Sequence, residues 1–177
     1  MLRYQLLHPE ILAALGSAGH GAQVLIADGN YPFATRAHPS AKRVYLNLAP
    51  GVLSATDVLR VLVDAIPIEA AHVMVPDTGD EPAIFGEFRA IMPERELYIL
   101  RRFEFYDAAC GNDVALVIAT GERRVYANLL LTIGVVPPDS TDFIKRVIGV
   151  GGDRVTCCDA EGRITVNGTP LDEEAYL

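Results

Sequence analysis

The sequence is short of cysteine, short of basic charge and free of long apolar runs, and each shortage removes a class of protein. Its three cysteines are Cys110, Cys157 and Cys158. The count is odd and two of them are adjacent, where a bridge is strained, so a disulfide framework is disfavoured. No C-x-x-C spacing offers a zinc site, and no metal ligand set is expected. Reduced thiols in a cytoplasmic protein are the reading that remains. The 15 basic residues face 23 acidic ones, for a formal charge of −8 and a pI near 4.9. Such a chain repels phosphate backbones, which argues against nucleic acid as a partner. A small neutral or cationic substrate is compatible. His8-Pro9-Glu10 interrupts the N-terminal apolar run before it is long enough for a signal peptide, and no run approaches a membrane span. No membrane partner is expected. Internal repeats and low-complexity segments are absent.

What is there suits a packed domain. Half the residues are apolar and 21% are charged across 177 residues. HPEILAALGSAG reads as a short helix opened by Pro9 and closed by glycines. QVLIAD is a buried strand, and RVYLNL a second. Ser54 and Asp57 resemble a helix capping box ahead of VLRVLVDAI. AHVMVP is another strand, EPAIFGEFRAIM a helix, and ELYIL either a strand or a helix end. RFEFYDAACGN reads as a helix ending at Gly111-Asn112. VALVIAT and VYANLLLTIGVV carry the strongest strand patterns. Strands alternating with helices predict a layered α/β domain, three-layer α/β/α with a mixed sheet, over residues 1–136. The breaker cluster at 137–141 marks a linker. Residues 142–177 read as a small β-hairpin appendage, with turns at Gly151-Gly152-Asp153, at 159–162 and at Asn167-Gly168.

GSAGHGAQVLIADGNYP carries the chemistry. His20, between Gly19 and Gly21, changes charge near neutral pH and can give and take protons. Flanking glycines let the backbone approach a ligand. Asp28 ends a buried strand, at the loop end where α/β sheets place ligands. The bland alternative, His20 capping a helix and Asp28 starting a turn, stands beside it. An extended strand between the two would hold them about 20 Å apart. They share a site only if the chain folds back or a neighbouring subunit supplies one of them. Arg102 offers a fork of donors to an oxygen-rich ligand, or is a solvated helix start. Tyr126 and Asn128, two apart on a strand, face the same way and suggest hydroxyl recognition, or a satisfied core pair.

Three stretches, LLHPEILAALGSAGHGAQVLIADGNYP, RRFEFYDAA and ATGERRVYANLLLTIGVV, together resemble the D-ribose pyranase / L-fucose mutarotase family from about residue 5 to residue 136. The resemblance implies a cofactor-independent isomerase that interconverts anomers or ring forms of a free monosaccharide. By matching positions it implies His20 as proton donor, and Asp28, Arg102, Tyr126, Ala127 and Asn128 as sugar contacts. It also implies a ring-shaped homo-oligomer, typically a decamer, with sites near subunit contacts. The branch is mixed. Gly-His-Gly, Arg-Phe-x-Phe-Tyr and Thr120-Gly121-Glu122 look like the fucose branch. Tyr-Ala-Asn looks like the ribose branch, Ala22 replaces an acidic residue usual in the fucose branch, and ACGND is slightly longer than in relatives. A non-catalytic sugar-binding or transport-accessory protein is the alternative.

The tail carries a second resemblance. IKRVIGVGGD is similar to the lysine box of type I signal peptidase, with Lys145 at the general-base position. The serine box and membrane anchor of that family are missing, and a base without its nucleophile cannot cleave a peptide. The tail therefore reads as an inactive fragment, whether a natural fusion, an engineered chimera or a misjoined frame.

Overall fold

The structure is a computed structural model that describes residues 5–136, 154–156, 159 and 163–170. The chain divides into two compact units, Met1–Phe143 and Ile144–Leu177.

The first unit runs α1 (Pro9–Ser17), β1 (Gln23–Ala27), β2 (Lys42–Tyr45), α2 (Ala55–Val63), β3 (Ile68–Val75), α3 (Ile84–Ile91), β4 (Leu97–Arg101), α4 (Arg102–Ala109), β5 (Val114–Ala119) and β6 (Leu129–Ile133). Helix α1 starts on Pro9, whose missing N–H costs nothing at a helix start. Helix α2 starts on the expected capping box: Ser54 Oγ accepts from Asp57 N–H at 3.1 Å, and Ser54 N–H donates back to Asp57 Oδ2 at 2.9 Å. ELYIL resolves as strand β4, and α4 follows it without a break.

The six strands stand in the order β2-β5-β1-β6-β3-β4. β1 pairs in parallel with β5, β5 with β2, and β3 with β4, while β6 lies antiparallel between β1 and β3. The sheet is thus mixed as expected, with β6 the one strand reversed. The carboxyl ends of β1 to β5 share an edge with the beginning of β6. Their amino ends share the other edge with the end of β6.

Alternation along β1 divides the core. Val24 and Ile26 face a cluster with Ile11 of α1, Leu59 and Leu62 of α2, and Phe85 and Phe88 of α3. Leu25 and Ala27 face Phe105 and Ala109 of α4, with Tyr31, Ala37 and Ala41 from the loop after β1. Helices on one face and a helix plus loop on the other give the three layers. Each fully buried large side chain contributes about 1.5–3 kcal/mol, so this sheet is a rigid frame for both edges. Among the described residues no helix is long and apolar enough to cross a membrane.

One expectation fails here. Residues 125–128 are not strand: β6 begins at Leu129. Tyr126 takes φ +61°, the left-handed region that a bulky side chain rarely enters. The side chains at 127 and 128 are buried, and Asn128 is bonded to Asp28 across the edge, so the segment turns inward before the ladder starts.

The second unit shows a small antiparallel sheet of β7 (Val155–Thr156), β8 (Thr165–Val166) and β9 (Thr169–Pro170), in that order. Asn167 and Gly168, both at positive φ, make the tight turn joining β8 to β9. The expected turn at 151–153 and Lys145 lie outside the described residues, as does the 137–141 linker.

Candidate functional site

At the carboxyl edge the side chain of Asp28 points inward and is only 2% exposed. Its Oδ1 accepts Asn30 N–H at 2.9 Å. Its Oδ2 accepts Ala127 N–H at 3.2 Å and Asn128 Nδ2–H at 2.9 Å. Asp28 N–H returns a bond to Asn128 Oδ1 at 2.9 Å. An ionised carboxylate has about four acceptor positions, so three bonds leave room for one hydroxyl. Burial pushes the Asp28 carboxyl above its ordinary range, and the bonds from Asn30, Asn128 and Ala127 pull against that push. The bland turn role is also present, since Asp28 does start a turn through Asn30.

Beside this floor, Arg102 Nη2–H donates to Tyr126 Oη at 2.9 Å, and the guanidinium lies 6.0 Å from the Tyr126 ring centre. Asp77, at 3.9 Å, steadies the same guanidinium. Arg102 opens α4 as read from sequence, yet it is not merely solvated. The left-handed turn at Tyr126 sends its side chain to Arg102, while Asn128 goes to Asp28. The two do not share a strand face, and the structure corrects that expectation. It still brings Asp28, Arg102, Tyr126, Ala127 and Asn128 together at one edge.

His20 lies elsewhere. It follows α1 at the amino edge, in a turn where Ala22 N–H bonds Gly19 C=O at 3.1 Å and Gly21 at φ +82° points its N–H to Ile133 C=O at 2.9 Å. Strand β1 separates it from Asp28, and those five residues alone span roughly 16 Å. Within one copy the chain does not fold back to join them. His20 caps no helix. Its Nε2 meets Glu69 Oε2 at 2.7 Å, with both side chains more than half exposed. The imidazole borders an open cavity of about 580 Å³, between the 19–22 turn, Ser40 and Asn112-Asp113. The ACGND loop therefore forms one wall of the His20 cavity.

Sequence reasoning missed two carboxylates. Glu69 sits near the start of β3 and shows no local signal; only the pairing of β3 with β6 brings it to His20. Glu122 enters the sequence reading only as part of a three-residue run, yet it is buried and bonded to Arg124 and to Ala55 N–H. An acid followed two residues later by arginine, directly after an apolar strand, was the available hint. The Arg124 guanidinium holds the Glu122 carboxyl down at about 2 against the opposing effect of burial. Among the described residues no group of acidic, histidine or cysteine side chains is arranged to hold a metal ion.

Residues 1–136 match the RbsD / FucU transport protein family. The chain is 35% identical to human fucose mutarotase over 143 residues, covering 74% of this chain and 90% of that protein. It is 30% identical to D-ribose pyranase of Bacillus cytotoxicus over 136 residues, covering 77% of this chain and 99% of the relative. In structure it is similar to a fucose mutarotase from Streptococcus pneumoniae solved with L-fucose, with a TM-score of 0.67, 27% identity, and 77% and 100% of the two chains covered.

Proposed function

The chain belongs to the RbsD / FucU transport protein family, and from that membership we propose that it is a mutarotase for a free monosaccharide resembling L-fucose or D-ribose. The observation that carries the proposal is the polar cluster at the carboxyl edge. A buried carboxylate, an amide side chain, a phenol and a guanidinium converge there at the mouth of an otherwise apolar sheet. That set recognises neutral hydroxyls.

The chemistry is acid–base only. The ring C1–O5 bond breaks as O1 loses its proton and C1 becomes a carbonyl; O5 takes up a proton. Rotation about C1–C2 and the reverse steps give the other anomer, and closure by a different hydroxyl gives the other ring size. No electron leaves the sugar, so no step calls for a cofactor. We assign His20 the proton transfer, with Glu69 orienting its ring. Asp28, Arg102, Tyr126, Ala127 and Asn128 hold the sugar.

One copy holds the two groups at opposite ends of β1. We therefore place the working site between copies, His20 from one and the Asp28 cluster from another, in a closed homo-oligomer such as a decameric ring. Exposed apolar side chains around the carboxyl edge, Tyr45, Leu48 and Val125 among them, support a covered surface there. A cytoplasmic location belongs to the same proposal and is supported by the free thiol of Cys110. Residues beyond 136, which the family does not match, we read as an appended inactive fragment.

Saturation-transfer NMR between the anomers of L-fucose, D-ribose and D-galactose tests the reaction. Fast exchange of one sugar, lost in His20→Ala, supports it. Binding of a sugar without accelerated exchange would favour the non-catalytic carrier instead.

A further inference from the structure

The Thr120-Gly121-Glu122 run and Arg124 have no part in the chemistry above, yet they are tied to both sides of Asp28. Thr120 N–H and Thr120 Oγ1–H both donate to Ala27 C=O, at 3.0 and 2.8 Å. Gly29 N–H donates to Glu122 C=O at 2.9 Å. The residues before and after Asp28 are thus each fastened to this run. Gly121 is wedged against the 49–53 loop: its C=O accepts Gly51 N–H at 2.6 Å and its N–H reaches Leu53 C=O at 3.0 Å. A Cβ there would lie 2.2 Å from Val52 O, so only glycine fits.

The Glu122 side chain is 5% exposed, and every acceptor position of its carboxylate is occupied. Oε1 takes Arg124 N–H at 3.0 Å and Arg124 Nε–H at 2.9 Å. Oε2 takes Arg124 Nη2–H at 2.8 Å and Ala55 N–H at 3.3 Å. The remaining arm of Arg124, Nη1, goes to Glu87 of α3. This is a two-pronged fork closed between residues only two apart, and it folds 122–124 tightly back on itself. Tyr126 stands two residues beyond Arg124, in its left-handed conformation. Strain of that kind persists only where the surroundings hold it.

We propose that Glu122 and Arg124 are positioning residues, whose fork locks the loop through residue 128 so that Tyr126, Ala127 and Asn128 meet the sugar and Asp28 in one geometry. The proposal rests on the sugar-site reading above. Neither side chain touches the substrate. Both act through the loop, and the effect falls on binding before turnover.

The test uses Glu122→Gln, Arg124→Gln and the double variant of the full chain, with two readouts. In the exchange assay each single variant is expected to raise KM about tenfold with kcat within about twofold, and the double variant to be no worse than either single one, because the pair acts as a unit. Independently of any sugar, hydrogen exchange at the Ala127 amide, which bonds Asp28, is expected to quicken by about tenfold or more while the β5 amides keep their protection. Unchanged KM together with unchanged Ala127 protection would overturn the proposal. So would equal loss of protection in β5, which marks general destabilisation. If Glu122→Gln does not fold, Arg124→Lys keeps the charge but loses the fork and is expected to give about a threefold change in both readouts. A wild-type chain that accelerates no sugar's exchange sinks the mutarotase reading, while the Ala127 amide still decides this one.

Discussion

The two edges of the same sheet are built on opposite principles. At the carboxyl edge, Asp28 and Asn128 are buried, Glu122 is saturated with donors, and Gly29 and Gly121 are packed against carbonyls. At the amino edge, His20 stands in an open cavity and holds one exposed partner, Glu69. A binding surface gains from being fixed beforehand, because little is then lost to ordering on binding. A proton carrier has to remain accessible to the atom it serves. On the proposed reading, the contrast teaches that one copy offers a finished receptor at one end and an unfinished catalyst at the other.

The sharpest way to break this comparison is His20→Ala. General acid–base catalysis contributes about 10²–10⁴-fold, so exchange is expected to fall by that order. The melting temperature is expected to stay put, because the ring is exposed. Retained exchange in NMR would remove His20 from the mechanism. Next comes complementation. His20→Ala chains and Asn128→Ala chains, each weak alone, are expected on mixing and reassembly to regain activity at about a quarter of the sites, if each site draws one half from each copy. No recovery on mixing would return both halves to one chain.

Asn128→Ala also probes the rigid edge by itself. It strips a donor from buried Asp28 and an acceptor from its N–H, and stability is expected to drop by about 1–3 kcal/mol in a denaturant titration. An unchanged midpoint would mean the edge is less fixed than described.

Acid separates the two carboxylates of that edge. Glu122, held at about 2 by Arg124, favours the folded state when charged; its contribution is whole above its ordinary value of 4.5 and is lost as pH falls toward 2. Asp28 is shifted the other way, so what it gives is present below its ordinary 3.8 and is lost as pH rises through the raised value. Melting curves between pH 5 and 2 are expected to fall less steeply for Glu122→Gln than for wild type. An unchanged slope would show that Arg124 does not hold the charge. The smallest effect is expected at the open edge. An exposed pair is worth about 0–1 kcal/mol, so Glu69→Gln is expected to slow exchange by less than about fivefold. A larger loss would make Glu69 a direct participant.

The layered fold was legible because its signals are local. Apolar runs of strand length, Pro9 at a helix start and the Ser54–Asp57 box each act within a few residues, and apart from residues 125–128 each formed close to where it was read. The order of the strands was not legible, since β6 inserts between β1 and β3 through pairings of residues distant in sequence, such as Gln23 with Thr132 and Val73 with Leu129. The candidate site was legible residue by residue and not as a shape. Asp28, Arg102, Tyr126, Ala127 and Asn128 do converge, but Tyr126 was read as strand because aromatic residues favour strands. The bonds that override that preference, from Ala127 and Asn128 to Asp28, join distant parts of the chain. Glu69 could not be seen at all, because its meeting with His20 exists only in three dimensions.

Strand β6 touches both edges. Its approach, at Ala127 and Asn128, bonds Asp28, and its last residue, Ile133, accepts the N–H of Gly21 beside His20. Five residues of one strand therefore act as a ruler between the Asp28 cluster and the His20 turn. Neighbours on both sides bury its side chains, so a slip by one residue would turn every one of them to the wrong layer. The spacing of the two proposed half-sites is thereby quantised: an inserted or deleted residue in β6 would not stretch the distance slightly but would unseat Asp28 and His20 in the same stroke.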